Sequence, residues 1–306
     1  MRSNREWIYD TQLSDSYYMG IPIFTSKNNN IFYRIEMPVV LDELCVLARD
    51  AHRNKEQIVW KDGVITDADR KILEENAQNT DEFDRLNLKA NVMNEYKKGA
   101  YKIECKESAY ARIIAVLPKN REIPLEDWSY IFQMFGLVHK TPWKIYWYGS
   151  PKLREFPGKM VPIGAEHVNG GYTTSCSNHG VFIYRLEEAT RVLIHELLHA
   201  SCMNPKTDSI SVIEATIETW AELILIAHRS KGRLDIGLEL LRKQIQWVSN
   251  TNYISETEHN TRSDQDYGWR YLNGREKVYN TLGIRLPPPK KQHQTSTRFT
   301  TPVLGD

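Results

Sequence analysis

Residues 181–230 read VFIYRLEEATRVLIHELLHASCMNPKTDSISVIEATIETWAELILIAHRS, and this stretch decides the architecture. Its first five residues are β-branched, aromatic or long, the composition of a strand. From Leu186 to about Ser230 apolar side chains return every three or four residues, the period of a helix. Asn204 and Pro205 break that period, since proline has no amide hydrogen to continue a helical ladder. The stretch therefore predicts a strand, a helix, a turn and a second helix.

Outward from it, ARIIAVL at 111–117 and KIYWY at 144–148 resemble VFIYR at 181–185 in texture and are set off by Pro and Gly, which predicts strands of one sheet. Between the first two, LEDWSYIFQMFGLV at 125–138 places Trp128, Ile131, Phe132 and Phe135 on one helix face. Another helix is expected over Asp235–Val248, after Gly232. Toward the N-terminus, IPIFTSKNNNIFYRIE at 21–36 predicts a hairpin, and Val40, Leu41, Leu44, Cys45, Leu47 and Ala48 predict a helix. Thr66, with Asp69 three residues on, caps a second helix carrying Ile72 and Leu73, and a third ends at Gly99. The fold expected is α+β: a small mixed or antiparallel sheet packed on the helix at 191–200, within a domain spanning 110–286 that has a helical C-terminal subdomain. A mostly helical accessory region, 1–109, precedes it, and PPPKKQHQTSTRFTTPVLGD at 287–306 is too polar and proline-rich to offset ordering entropy, so a disordered tail is expected.

Forty Lys and Arg against 39 Asp and Glu leave a net charge of +1, which supplies no field to gather a polyanion, so no nucleic-acid partner is expected. MRSNREWIYD at the start lacks an apolar core and no run approaches the ~18 apolar residues of a membrane span, so neither a signal peptide nor a membrane association is expected. The four cysteines, Cys45, Cys105, Cys176 and Cys202, are scattered without a CxxC pair. They read as free thiols in the cytoplasm or another reducing intracellular compartment.

Chemistry concentrates in His195-Glu196-Leu197-Leu198-His199, an HExxH motif inside the first predicted helix. Four residues are just over one turn, so both imidazoles leave the same face and can grip one ion. Glu196, turned by ~100° from His195, lies beside that ion, where a carboxylate can take a proton from bound water. The longer continuation HExxHxxGxxH is absent, because Cys202 and Pro205 stand where Gly and His would be needed. In the following helix Glu214, Glu218 and Glu222 recur in steps of four on one face, with Ile217, Trp220, Leu223 and Ile224 on the other. Three stacked carboxylates repel one another unless a cation or donor sits opposite.

HELLH followed by Glu218 after eighteen intervening residues resembles the gluzincin metallopeptidases, the thermolysin-like and zinc-aminopeptidase-like enzymes. Glu218-Thr219-Trp220-Ala221 is also similar to the E-G-F-A run of the aminopeptidase branch, although no GxMEN-type exopeptidase motif accompanies it. The resemblance implies a single zinc ion on His195, His199 and Glu218, Glu196 as general base, and Glu222 as the carboxylate that orients His195. It implies hydrolysis of a peptide or protein substrate bound along an extended edge, for which VFIYR is the candidate strand and Gly170-Gly171 would permit close approach. An oxyanion donor is expected after the third ligand, with His259, Tyr267 and Tyr271 as candidates in a site-forming loop at 253–271. HExxH with Cys176 upstream also resembles the peptide deformylases, which pair that motif with an upstream Cys ligand, but TTSCSNHG lacks that family's glycine-leucine context. Two other readings stay open: a non-catalytic zinc-binding or interaction protein, and a metal-dependent hydrolase of a non-peptide amide or ester.

Overall fold

The computed structural model describes residues 39–54, 58–79, 82–137 and 141–290. The hairpin expected at 21–36 lies outside them. The described chain is mixed α+β, built on a six-stranded sheet that is not closed, in the order β1-β2-β3-β4-β6-β5. The strands are β1 (Lys61–Asp62), β2 (Tyr101–Glu107), β3 (Ala111–Pro118), β4 (Trp143–Tyr148), β5 (Gly171–Thr173) and β6 (Val181–Ile183). β3, β4 and β6 run parallel, and β2 and β5 pair antiparallel with β3 and β6.

Parallel neighbours require a crossover, and between β3 and β4 it is α4 (Leu125–Phe135), with Trp128, Ile131 and Phe132 buried as expected. The sheet is covered on both faces, so its central strands are apolar in nearly every position. Alternation sorts their side chains. Ile113, Ala115, Leu117, Ile145, Trp147 and Ile183 face a core shared with α1 (Val39–Arg53), α4, α6 (Ala189–Ala200) and α7 (Ile210–Arg229). Ile114, Val116, Tyr146 and Tyr148 face the other way, onto α2 (Asp67–Gln78) and α3 (Leu88–Lys97). Thr66 caps α2 with Asp69 in a reciprocal capping box, as the sequence predicts.

The described part of the region before residue 110 is thus not a separate helical layer. β2 belongs to the same sheet, and the boundary expected at 109/110 falls in the β2–β3 connection. Its residues YKIECKE alternate, with Tyr101, Ile103 and Cys105 packing into the second core cluster, a period-two signal short enough to be lost among charged helices. β6 also departs from expectation. It lies between β4 and β5, so among the described residues the free edge belongs to β5 rather than to VFIYR.

Helix α8 (Leu234–Glu258) runs ten residues past the expected end, taking in the first part of the loop predicted at 253–271. The buried face of its second half is polar, with Thr251, Asn252 and Ser255, so the apolar period that marks a helix disappears there. A 3₁₀ turn (Tyr267–Tyr271) and α9 (Gly274–Thr281) follow. Residues 287–290 of the predicted tail pack on α8: Ser249 Oγ donates to the Pro287 carbonyl at 2.6 Å and the Lys290 amide donates to Asn250 Oδ1 at 2.9 Å. Cys45 and Cys105 are free, as expected, and both are buried, but Cys176 and Cys202 are joined in a disulfide, correcting the reading of four free thiols. The β5–β6 hairpin loop folds onto the end of α6 and brings together two cysteines that the sequence separates by 26 positions. Among the described residues no helix is long and apolar enough to cross a membrane.

Arg185 ties the segment 149–170, whose one helix is the single turn α5 (Ala165–Val168), to the sheet. Only 1% exposed, it donates from Nε to the Asn169 carbonyl at 2.7 Å, from Nη1 to the carbonyls of Lys152 and Leu153 at 2.9 and 3.1 Å, and from Nη2 to that of Glu166 at 2.8 Å. Arg185→Met would strand these acceptors in the interior and is expected to lower unfolding stability by about 3 kcal/mol or more. Chemical denaturation checks this, and an unchanged midpoint would refute it.

Candidate metal centre

All twelve residues of α6 are buried. Such a helix must be apolar nearly all round, and any polar side chain on it needs a partner. The polar residues Arg191, His195 and His199 recur in steps of four and form one stripe, with Glu196 beside it. On α7, Glu214, Glu218 and Glu222 form a second stripe. The two meet in opposite directions: Arg191 and His195 contact Glu218, while His195 and His199 contact Glu214.

The imidazoles present their Nε2 atoms to each other at 3.2 Å. The Glu214 carboxylate caps the pair, one oxygen 3.3 Å from His195 Nε2 and the other 3.6 Å from His199 Nε2. On the far side of each ring, Nδ1 meets an acceptor: Glu218 Oε2 at 3.0 Å for His195 and Asn204 Oδ1 at 2.7 Å for His199. A nitrogen facing an acceptor carries the hydrogen, so both Nδ1 atoms are donors and both Nε2 atoms turn inward, where each offers a lone pair once it carries no proton. Two facing lone pairs and a carboxylate repel unless a proton or a cation lies among them. The donor atoms of His195, His199 and Glu214 all lie within 4.8 Å of one another, and this group can hold a metal ion.

The third member of the set is therefore Glu214, which corrects the assignment of Glu218 as ligand. Glu218 is turned to the Nδ1 side of His195 and is ion-paired with Arg191. It occupies the orienting role expected of Glu222. Glu222, one turn further, accepts from Tyr279 Oη at 2.7 Å and Gln244 Nε2 at 2.9 Å and pairs with Arg275, and it does not reach His195. The whole pattern is shifted by one helical turn, with fourteen residues (200–213) rather than eighteen between His199 and the capping glutamate.

The surrounding cavity, about 200 Å³, is lined by the cluster, Glu196, Tyr271 and the backbone of β5. Gly171 is required there: a Cβ on it would lie 2.7 Å from the Phe182 carbonyl oxygen and 3.1 Å from Glu196 Oε1. Of the three oxyanion candidates, only Tyr271 lines this cavity. The Tyr267 hydroxyl donates to Asn169 Oδ1 at 2.9 Å, and His259 stacks on Phe156 with its Nδ1 3.0 Å from the Val161 carbonyl. Asn204 and Arg191 escaped the sequence reading. The four-residue step linking Arg191 to the histidines was the available signal, whereas nothing local marked Asn204.

Burial opposes charge on His195, but hydrogen bonds to Glu214 and Glu218 outweigh it and push its pKa up to about 10. Burial likewise disfavours ionised Glu214 and Glu218; the histidines overcome it for Glu214, and Arg191 with His195 for Glu218, so both carboxyls are held well below the ordinary range. Glu196 behaves differently. Burial raises it to about 7, with His195 and His199 pulling it back only in part. A carboxylate with that pKa sits where neutral pH can load and unload its proton.

Compared with protein-family models, with curated proteins and with solved structures, the chain matches none.

Two expectations follow from the shifted register. Glu218→Ala leaves buried Arg191 with Glu188 as its one carboxylate and His195 Nδ1 without its acceptor, and should cost about 3 kcal/mol or more in stability, whereas Glu214→Gln should remove tight divalent-ion uptake; equal stability for Glu218→Ala in denaturant titrations would contradict the first, and stoichiometric metal on purified Glu214→Gln the second. Because the His195 pKa is raised from 6.5 to about 10, its charge stabilises the metal-free fold below pH 6.5, and that contribution is lost as pH rises through 10. A cation must displace this proton, so divalent-ion affinity should rise with pH by up to about tenfold per unit across the neutral range. Calorimetry in buffers of different ionisation enthalpy should register about one proton released per ion near pH 7, and zero release would refute the assignment.

Proposed function

We propose that the protein is a zinc-dependent metallopeptidase of gluzincin-like type, with His195, His199 and Glu214 as ligands and Glu196 as general base. The observation that carries this reading is the convergence of two imidazole Nε2 atoms and one carboxylate on a single point, in a cavity that also holds a second, near-neutral carboxyl. Two nitrogen donors and one oxygen donor suit zinc, and three protein ligands are the number found where a coordination position stays open for chemistry. When bound, zinc acidifies water and polarises a carbonyl.

The chain's own groups account for the rest. Glu196 takes a proton from the attacking water and returns it to the leaving amine. Tyr271 is half-buried, and its desolvation raises its pKa well above the ordinary value and keeps its hydroxyl protonated, as an oxyanion partner must be. Among the described residues β5 is an edge strand of the sheet along the cavity, and extended peptides recognise such edges through main-chain hydrogen bonds. A peptide substrate is favoured over a small amide for that reason, and the retained general base speaks for catalysis over a purely structural site.

Glu196→Gln is expected to retain stoichiometric zinc while losing about 10³-fold or more of peptide cleavage, because the ligands survive and the proton acceptor does not. His199→Ala should lose the metal. The check is metal analysis beside a peptide-library cleavage assay. Zinc without turnover in the wild type would shift the assignment to a binding module, and undiminished cleavage by Glu196→Gln would refute the mechanism.

A further inference from the structure

Two exposed cysteines converge on the metal helix. The backbone amides of Cys176 and Cys202 both donate to the His199 carbonyl, at 3.0 and 3.1 Å, and their sulfurs are bonded. Cys176 lies on the β5–β6 loop and Cys202 just past the end of α6. Both adopt left-handed backbone conformations, φ 57° and 61°, which non-glycine residues hold only where the surroundings enforce them. Beside the bond runs a second connection. Asn204 accepts from His199 Nδ1 at 2.7 Å through Oδ1 and donates through Nδ2 to Ser175 Oγ at 3.0 Å. Ser175, next to Cys176, thus holds the residue that orients His199, and the disulfide holds Ser175 against the helix end.

We propose that the Cys176–Cys202 bond is a redox clasp that keeps Asn204 on His199 and so sets how tightly the cluster retains its metal. The inference rests on the metal reading above. Both cysteines are exposed, in contrast to buried Cys45 and Cys105, so a dithiol reductant can reach the bond. Its thiolate attacks one sulfur, the protein S–S bond breaks as a mixed disulfide forms, and the reductant's second thiol then closes its own disulfide. Two electrons and two protons end on Cys176 and Cys202 as free thiols. The hairpin loop is then released from the helix end, Asn204 loses the tether through Ser175, and the His199 ring is no longer fixed with Nε2 inward. Partners of this kind behind a ligating histidine are worth about 10- to 100-fold in metal affinity.

The test is zinc competition against a chromogenic chelator, on the full chain, oxidised or reduced with a phosphine and alkylated so that the freed thiols cannot ligate. Reduction is expected to weaken zinc binding about 10- to 100-fold with the far-ultraviolet circular dichroism unchanged. Asn204→Ala should show the same loss while oxidised, with reduction adding less than about twofold, and Asn204→Asp, which keeps an acceptor, should restore affinity. Ser175→Ala leaves the bond intact and should fall between. Zinc affinity equal in both redox states overturns the clasp alone, as does an Asn204→Ala variant that binds like the wild type. An oxidised wild type that takes up no zinc overturns the metal reading and the clasp with it.

Discussion

A helix buried on every side cannot carry unpaired charge, and the structure is arranged around that constraint. α6 enters the interior with Arg191, His195, Glu196 and His199, and burying such groups without partners would cost several kcal/mol each. α7 answers with Glu214 and Glu218, laid antiparallel so that each carboxylate meets two basic groups. The network extends outward from there. Arg191 also reaches Glu188, which pairs with Arg154, while Glu222 collects Arg275, Tyr279 and Gln244. At the point where the two imidazole Nε2 atoms and Glu214 face one another, the metal-free protein is balanced by a proton on His195, and the capacity for a cation is the exchange of that proton for a metal ion.

The rest of the fold serves to hold this point still and leave one side of it open. The sheet packs under α6 with Ile183, Ile145 and Ile113, and the twenty residues of α7 are apolar on the side away from the glutamates. Arg185 anchors the segment that leads to β5, and Gly171 lets β5 approach Glu196 closely enough to form a wall of the cavity. The hairpin loop after β5 then reaches the end of α6, where Cys176 and Cys202 meet. One short strand therefore links the sheet edge, the general base and the histidine at the end of the helix.

Much of this was legible residue by residue. The parallel strands, the amphipathic helices α1, α2 and α4, and the HExxH helix each carry a strong local period or cap, and they form where those signals lie. The losses share one cause, which is that the deciding signal was not local. β2 was hidden because alternation over seven residues is weak among charged neighbours. The end of α8 was hidden because its buried face is polar, and the disulfide because it joins two loops distant in sequence.

The sequence by itself determined that His195 and His199 share a helix face with Glu196 beside them, since four residues per step is a property of any α-helix. It also determined that some glutamate of α7 must answer them, because three carboxylates on one face need donors opposite. Only tertiary structure decided which one. Glu214, Glu218 and Glu222 are equivalent along the helix, and the choice follows from where the turn at 201–209 sets α7 down across α6. One turn of sliding exchanges the glutamate that caps the Nε2 atoms for the one that orients His195, and no periodicity within either helix records that offset.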